Sequence, residues 1–185
     1  MKTATLRQAQ GTALVHPLPH ARPGRALSAP AEFLKWLTRT GDGAAPLILR
    51  LALAVMLFPH GAQKALGWFG GYGFSATLNA FQQYMHIPAP LALAVIATEF
   101  LGSLALAAGF FTRFSAFAVA VTMTVAALKV HLANGFFMNW AGTQKGEGVE
   151  YFIPVLAVAA VLMLRGGGKA SVDGALSRKL EHGNF

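Results

Sequence analysis

Four long stretches of apolar and small residues, at 46–65, 87–111, 114–132 and 149–164, dominate the pattern of this chain. A bilayer core of ~30 Å is crossed by ~20 mostly apolar residues of helix, so the first three stretches predict spans and the shorter fourth a span that starts within the headgroup layer. Pro46 suits a helix start, and Pro59 is expected to bend or end the first span. Between spans one and two, Phe74, Leu78, Phe81 and Met85 recur at helical spacing amid Trp68, Phe69, Tyr72 and Tyr84, which predicts a glycine turn followed by an amphipathic helix on the membrane surface. Phe136, Phe137 and Trp140 between spans three and four suit an aromatic belt, and Ala31 to Thr38 reads as a short interfacial helix before span one. Alanine and glycine recur in spans two and three, which lets helix backbones approach closely. The predicted fold is all-α: an integral membrane four-helix bundle with an interfacial amphipathic helix between spans one and two. Residues 1–43 read as a disordered basic cytoplasmic tail carrying the interfacial helix, 44–165 as the four-span domain, and 166–185 as a cytoplasmic C-terminal tail with Gly166 to Gly168 a flexible exit.

Composition agrees with the pattern. Only 12% of the 185 residues are charged and 55% are hydrophobic, with mean hydropathy +0.50, whereas a soluble domain carries roughly 25% charged residues. There is no cysteine, which excludes a thiol nucleophile, a CxxC pair and cysteine-ligated iron–sulfur or zinc sites in this chain. The net charge of +8 comes from basic residues at the ends and in loops, a distribution that points to membrane lipids as partners and not to nucleic acid. Lys2, Arg7, Arg22, Arg25, Lys35 and Arg39 precede span one, Arg113 joins spans two and three, and Arg165, Lys169, Arg178 and Lys179 follow span four. The other two loops carry Lys64 and Lys145, so both termini are expected in the cytoplasm.

Candidate chemistry begins at Glu99, a lone carboxylate midway along span two. A charge there costs ~2.5–3.5 kcal/mol on insertion scales, which calls for a partner, a proton or a task. With the termini inside, His60 and Lys64 lie one helical turn apart near the outer end of span one, Lys129 and His131 near the outer end of span three, and Glu150 at the mouth of span four. Glu99 is roughly 18 Å down span two from Ile87, at the bottom of this polar funnel. Its natural structural partners are Lys129 and His131, while Arg50, near the inner end of span one, reads as a phosphate anchor or one half of a structural pair. No HxxxH or ExxH spacing places two metal ligands on one helix face, so no metal site is predicted, and no phosphate-binding glycine loop or serine triad occurs.

Several of these residues fall in a familiar order: Arg50, then His60-Gly61-x-x-Lys64 with aromatic and glycine residues to Gly73, then Pro88 and Glu99-Phe100-Leu101-Gly102. Leu106 to Arg113 (LAAGFFTR), Lys129-x-His131, Gly135-Phe136 and Gly148-x-Glu150 complete it. Over about residues 47–164 the chain resembles the DoxX family of four-span membrane proteins. That resemblance implies a bacterial inner-membrane protein and a link to quinone-dependent oxidation, since relatives include a subunit of a thiosulfate:quinone oxidoreductase and others associate with complexes handling oxidative or thiol stress. Joined to the polar cluster, it makes Glu99 the expected proton-exchanging acid and His131 or Lys129 the donor to a quinone oxygen. His60, Lys64 and Glu150 complete the expected cofactor-binding set. With no cysteine, electrons come from a bound substrate or a partner oxidoreductase subunit, and a homo-oligomer is the other expected assembly. The competing readings are a transporter or permeability protein for a small solute or lipid, and a non-catalytic accessory subunit of a membrane complex.

Overall fold

The computed structural model describes residues 28–181. The basic tail expected over the first residues falls largely on positions 1–27, outside that range, as do the last four residues. Among the described residues every regular element is helical: α1 (Ala29–Thr38), α2 (Ala44–Leu66), α3 (Gly73–Gln83), α4 (Ala89–Ala108), α5 (Thr112–Ala126), α6 (Phe152–Arg165) and α7 (Val172–Glu181). A π-helical turn at Ala127–His131 and a 3-10 turn at Leu132–Asn134 prolong α5, giving a continuous rod of 23 residues. This rod, α2 and α4 are each long and apolar enough to cross a membrane, and α6 is the shorter fourth apolar helix.

The element boundaries follow local chemistry. Gly67 ends α2 in a left-handed conformation (φ 75°), which glycine adopts without strain. Gly109 does the same for α4, and a Cβ there would lie 2.5 Å from the Cβ of Ser171, so this position needs glycine for space as well. Pro59, expected to bend or end span one, lies inside α2, which runs on to Leu66. Proline is tolerated within membrane helices where neighbouring elements support the freed backbone.

The helices pack in a ring in which α2 lies along α4, α4 along α5 and α5 along α6, with α2 also meeting α6. Leu57, Leu106, Val119 and Leu162 are fully buried at the centre, with Leu53, Met123, Phe152 and Val155 around them. Large apolar side chains such as Ile48, Val55, Leu101, Phe117 and Leu164 cover the outside of the bundle, as a lipid-facing surface requires.

At the end of the bundle where α2 begins, the chain forms a closed clasp. Arg50 is 1% exposed, and its guanidinium donates to the carbonyls of Leu106 (3.0 Å), Ala107, Gly167 (3.0 Å), Lys169 (3.2 Å) and Ala170 (2.8 Å). It is therefore no phosphate anchor: it caps the last turn of α4 and ties it to the segment after α6. Asp173, equally buried, accepts the N–H groups of Phe111 (2.7 Å) and Thr112 (2.8 Å) and so caps α5 from outside. The Gly168 N–H donates to the Thr40 hydroxyl and the Lys169 N–H to the Gly43 carbonyl, so Gly166 to Gly168 are buried in a packed turn and are no flexible exit. Arg113 donates to the carbonyls of Arg39 and Met163 and stacks over Trp36, which fastens α1 to the same end.

Candidate functional site

At the opposite end α2, α4, the extended α5 and the start of α6 line a cavity of about 430 Å³. Three of its walls carry residues already singled out from the sequence. α2 contributes Met56, His60 and Lys64, with the last two one turn apart; α4 contributes Val95 and Glu99; and the extended α5 contributes Thr122, Lys129 and His131. Phe81 and Met85 from the amphipathic α3 segment, and Met138, Glu147 and Gly148 from the loop after α5, complete the lining with Tyr151 and Phe152.

The central contact is an ion pair between Lys64 Nζ and Glu99 Oε2. Gly61 makes it possible. A Cβ at Gly61 would sit 2.5 Å from the carbonyl carbon and oxygen of Glu99, so only glycine lets α2 lie this close to α4. One helical turn later Lys64 then faces the Glu99 carboxylate. Phe58 and Phe100 stack beside the contact with ring centroids 5.9 Å apart. Glu99 is 6% exposed, so its charge is held in a largely dry setting with this ammonium as its counterion.

His131 is held from the other side. Its Nδ1 lies 2.8 Å from the Glu147 carbonyl, and its ring packs on Phe152 with centroids 4.8 Å apart. The Asn134 amide donates to the same carbonyl at 3.1 Å. Gly148 packs so tightly that a Cβ would meet the carbonyl oxygens of Phe137, Phe136 and Gly135 within 2.7 Å, which fixes the loop over the cavity. Lys129 lines the cavity with no hydrogen bond or ion pair among the described residues. The π-helical turn carries Lys129 and His131 together, and such turns recur at functional sites.

Five of the six residues singled out from the sequence, His60, Lys64, Glu99, Lys129 and His131, therefore line one cavity. Glu150 does not line it: its Oε2 accepts the Met138 N–H at 3.1 Å and braces the loop. The partner of Glu99 is Lys64, not Lys129 or His131. Sequence reasoning missed the loop's share of the wall. Glu147, whose carbonyl fixes His131 and whose Oε2 accepts the Asn139 N–H at 2.6 Å, was detectable only as one acid in a polar loop. Among the described residues no group of three His, Cys, Asp or Glu side chains converges as metal ligands.

The bundle, its lipid-facing surface and the ion pair at a largely apolar cavity define a multi-pass membrane protein with a site embedded among its spans. The DoxX family model matches residues 45–132. An uncharacterized protein of Haemophilus influenzae is 31% identical over 137 residues, which is 72% of this chain and 83% of that protein. The chain belongs to the DoxX family. No solved structure matches it.

Proposed function

We propose that this protein is a quinone-interacting subunit of a membrane oxidoreductase system, and that the cavity at the Lys64–Glu99 pair receives the quinone ring. One observation carries the reading: an ion pair within the spans, two histidines and a lysine unpaired among the described residues share a single cavity of about 430 Å³ whose remaining wall is mostly methionine, aliphatic and aromatic, with Thr122, Glu147 and Gly148. Small-molecule sites are typically ~300–1,000 Å³, mostly apolar, with a few convergent polar groups. The donor set fits a quinone: Lys129 and His60 offer N–H groups to its oxygens, Glu99 and His131 can exchange protons, and Phe81, Tyr151 and Phe152 offer apolar faces to the ring. When bound, the quinone supplies two-electron, two-proton redox chemistry. The chain's own residues orient it, exclude bulk water and hold protons at Glu99 and His131. Electrons enter from a substrate or a partner oxidoreductase subunit, since this chain has no cysteine.

The clasp end gathers Lys35, Arg39, Arg113, Arg165, Lys169, Arg178 and Lys179, so it faces the cytoplasm of a bacterial inner membrane and the cavity opens toward the outer half. A continuous path for a transported solute is disfavoured by the packing between the two ends, where Leu53, Leu57, Leu106, Val119 and Leu162 close the bundle beyond Glu99.

The test is mass spectrometry of lipid extracts from purified protein, wild type against Glu99→Gln, with thermal melts to establish equal folding. The expected result is stoichiometric isoprenoid quinone with wild type and its loss from the folded variant. Absence of quinone from wild type, together with solute flux in liposomes lacking any redox partner, would replace this reading with transport.

A further inference from the structure

The hydrogen-bond state of the cavity wall distinguishes between the two redox forms of such a ligand. This step rests on the quinone reading above. A backbone carbonyl can only accept, so the 2.8 Å contact from His131 to the Glu147 carbonyl places a proton on Nδ1. The Asn134 amide converges on the same oxygen, and the tight packing of Gly148 keeps it in place. In the neutral imidazole, Nε2 is then a lone-pair nitrogen, on the side of the ring away from the loop. Glu99 supplies a second acceptor. Its Oε2 is taken by Lys64, while Oε1 has no hydrogen-bond partner among the described residues, and Glu99 lines the cavity.

We infer that the site holds the reduced, hydroxyl-bearing form of its ligand, an isoprenoid quinol, more tightly than the oxidised quinone, with His131 Nε2 as the group that discriminates. A quinone oxygen only accepts hydrogen bonds. Set against Nε2 or Oε1 it brings two lone pairs together and leaves both partners unmatched in a poorly hydrated space. A quinol oxygen both donates and accepts, so its hydroxyl satisfies Nε2 or Oε1 while its lone pairs accept from Lys129. A site that favours the reduced form raises the potential of the couple it holds, which makes this an electron-accepting site.

The test uses full-length protein in lipid nanodiscs, titrated anaerobically by calorimetry with decylubiquinone and with its quinol. One hydrogen bond gained and one mismatch avoided correspond to a preference for quinol on the order of tenfold, equivalent to about +30 mV in the midpoint of the two-electron couple. In His131→Asn the side-chain amide still donates to the Glu147 carbonyl but carries no acceptor at the Nε2 position, so the preference should fall to about twofold or less. Equal binding of the two forms, or tighter quinone binding, overturns the inference and leaves the quinone site standing. Binding of neither form overturns both. Nitrogen-15 NMR of histidine-labelled wild type gives an answer independent of the variant's folding: a His131 proton on Nε2 and not on Nδ1 would overturn the assignment.

Discussion

Replacing Gly61 by alanine tests whether helix proximity creates the ion pair. The added Cβ would stand 2.5 Å from the Glu99 carbonyl carbon, the Glu99 oxygen and the Phe100 nitrogen, whereas non-bonded carbon atoms rest at ~3.5–4.0 Å. All three are backbone atoms, so no side chain can rotate away and α2 must part from α4 by about 1 Å. Overpacking of this kind costs ~1–3 kcal/mol, which for a chain of this length lowers the melting temperature by roughly 3–10 °C. The same displacement draws Lys64 from Glu99, so co-purified quinone should fall along with the melting temperature. Gly102→Ala is the matched control: its Cβ would meet only the Thr98 Cγ2 at 3.8 Å, an ordinary contact, and alanine is the better helix former by ~0.5–1 kcal/mol. Circular-dichroism melts of the three proteins in one detergent decide the matter. If Gly61→Ala melts with wild type, or Gly102→Ala falls by as much, close approach at Gly61 does not hold the two helices.

The clasp end supplies two more predictions. Arg50→Lys replaces a guanidinium that reaches five carbonyls by an ammonium with three donors; two unmet carbonyls at ~1–3 kcal/mol each imply a loss of roughly 2–6 kcal/mol, and limited trypsin digestion should then release the segment carrying α7 before the bundle unfolds. Asp173 lies outside the spans, and burial pushes its carboxyl above the ordinary carboxylate range even though the Phe111 and Thr112 N–H groups and Arg50 pull it down. Its pKa is thus higher folded than unfolded, so its pH-linked stabilisation is complete below the unfolded pKa and is lost as pH rises through the folded one. Asp173→Asn should flatten that part of a melting-temperature profile against pH while lowering stability at every pH, because an amide offers one acceptor oxygen to two N–H donors; a profile with unchanged slope would refute the assignment.

The spans and the amphipathic α3 were legible because burial in lipid writes itself as long apolar runs, and helical spacing needs no tertiary information. Which end of the helices carries the cluster was legible too: counting residues from the loops placed His60, Lys64, Lys129 and His131 together, and the structure brings them to one cavity with Glu99, which lies against Gly61 and not at the bottom of a funnel. Azimuth was not. Which cation meets Glu99 depends on how closely α2 and α4 approach, and that is set by the missing side chain at Gly61. Glu150 had the right depth but is engaged by a backbone N–H of its own loop. The clasp was illegible for another reason. The partners of Arg50 and Asp173 are backbone groups, which every residue carries, so no residue type marks them in advance.

Arg50 and Glu99 also show how structural and functional charges within a membrane bundle can be separated. Both belong to spans where an unsatisfied charge is costly, and both are nearly inaccessible. Arg50 uses its donors on carbonyls at the end of α4 and beyond α6, and a cation beside those carbonyls is further favoured by the α4 dipole. Nothing is left over with which it could recognise a ligand. Among the described residues Glu99 has a hydrogen-bond partner on one oxygen only, Lys129 has none, and His131 is held by a single ring nitrogen. All three residues line the same cavity. Hydrogen-bonding capacity left open at a rigidly supported site is capacity a ligand can use, and it is what separates the Lys64 end of this bundle from the closed end that holds it in shape.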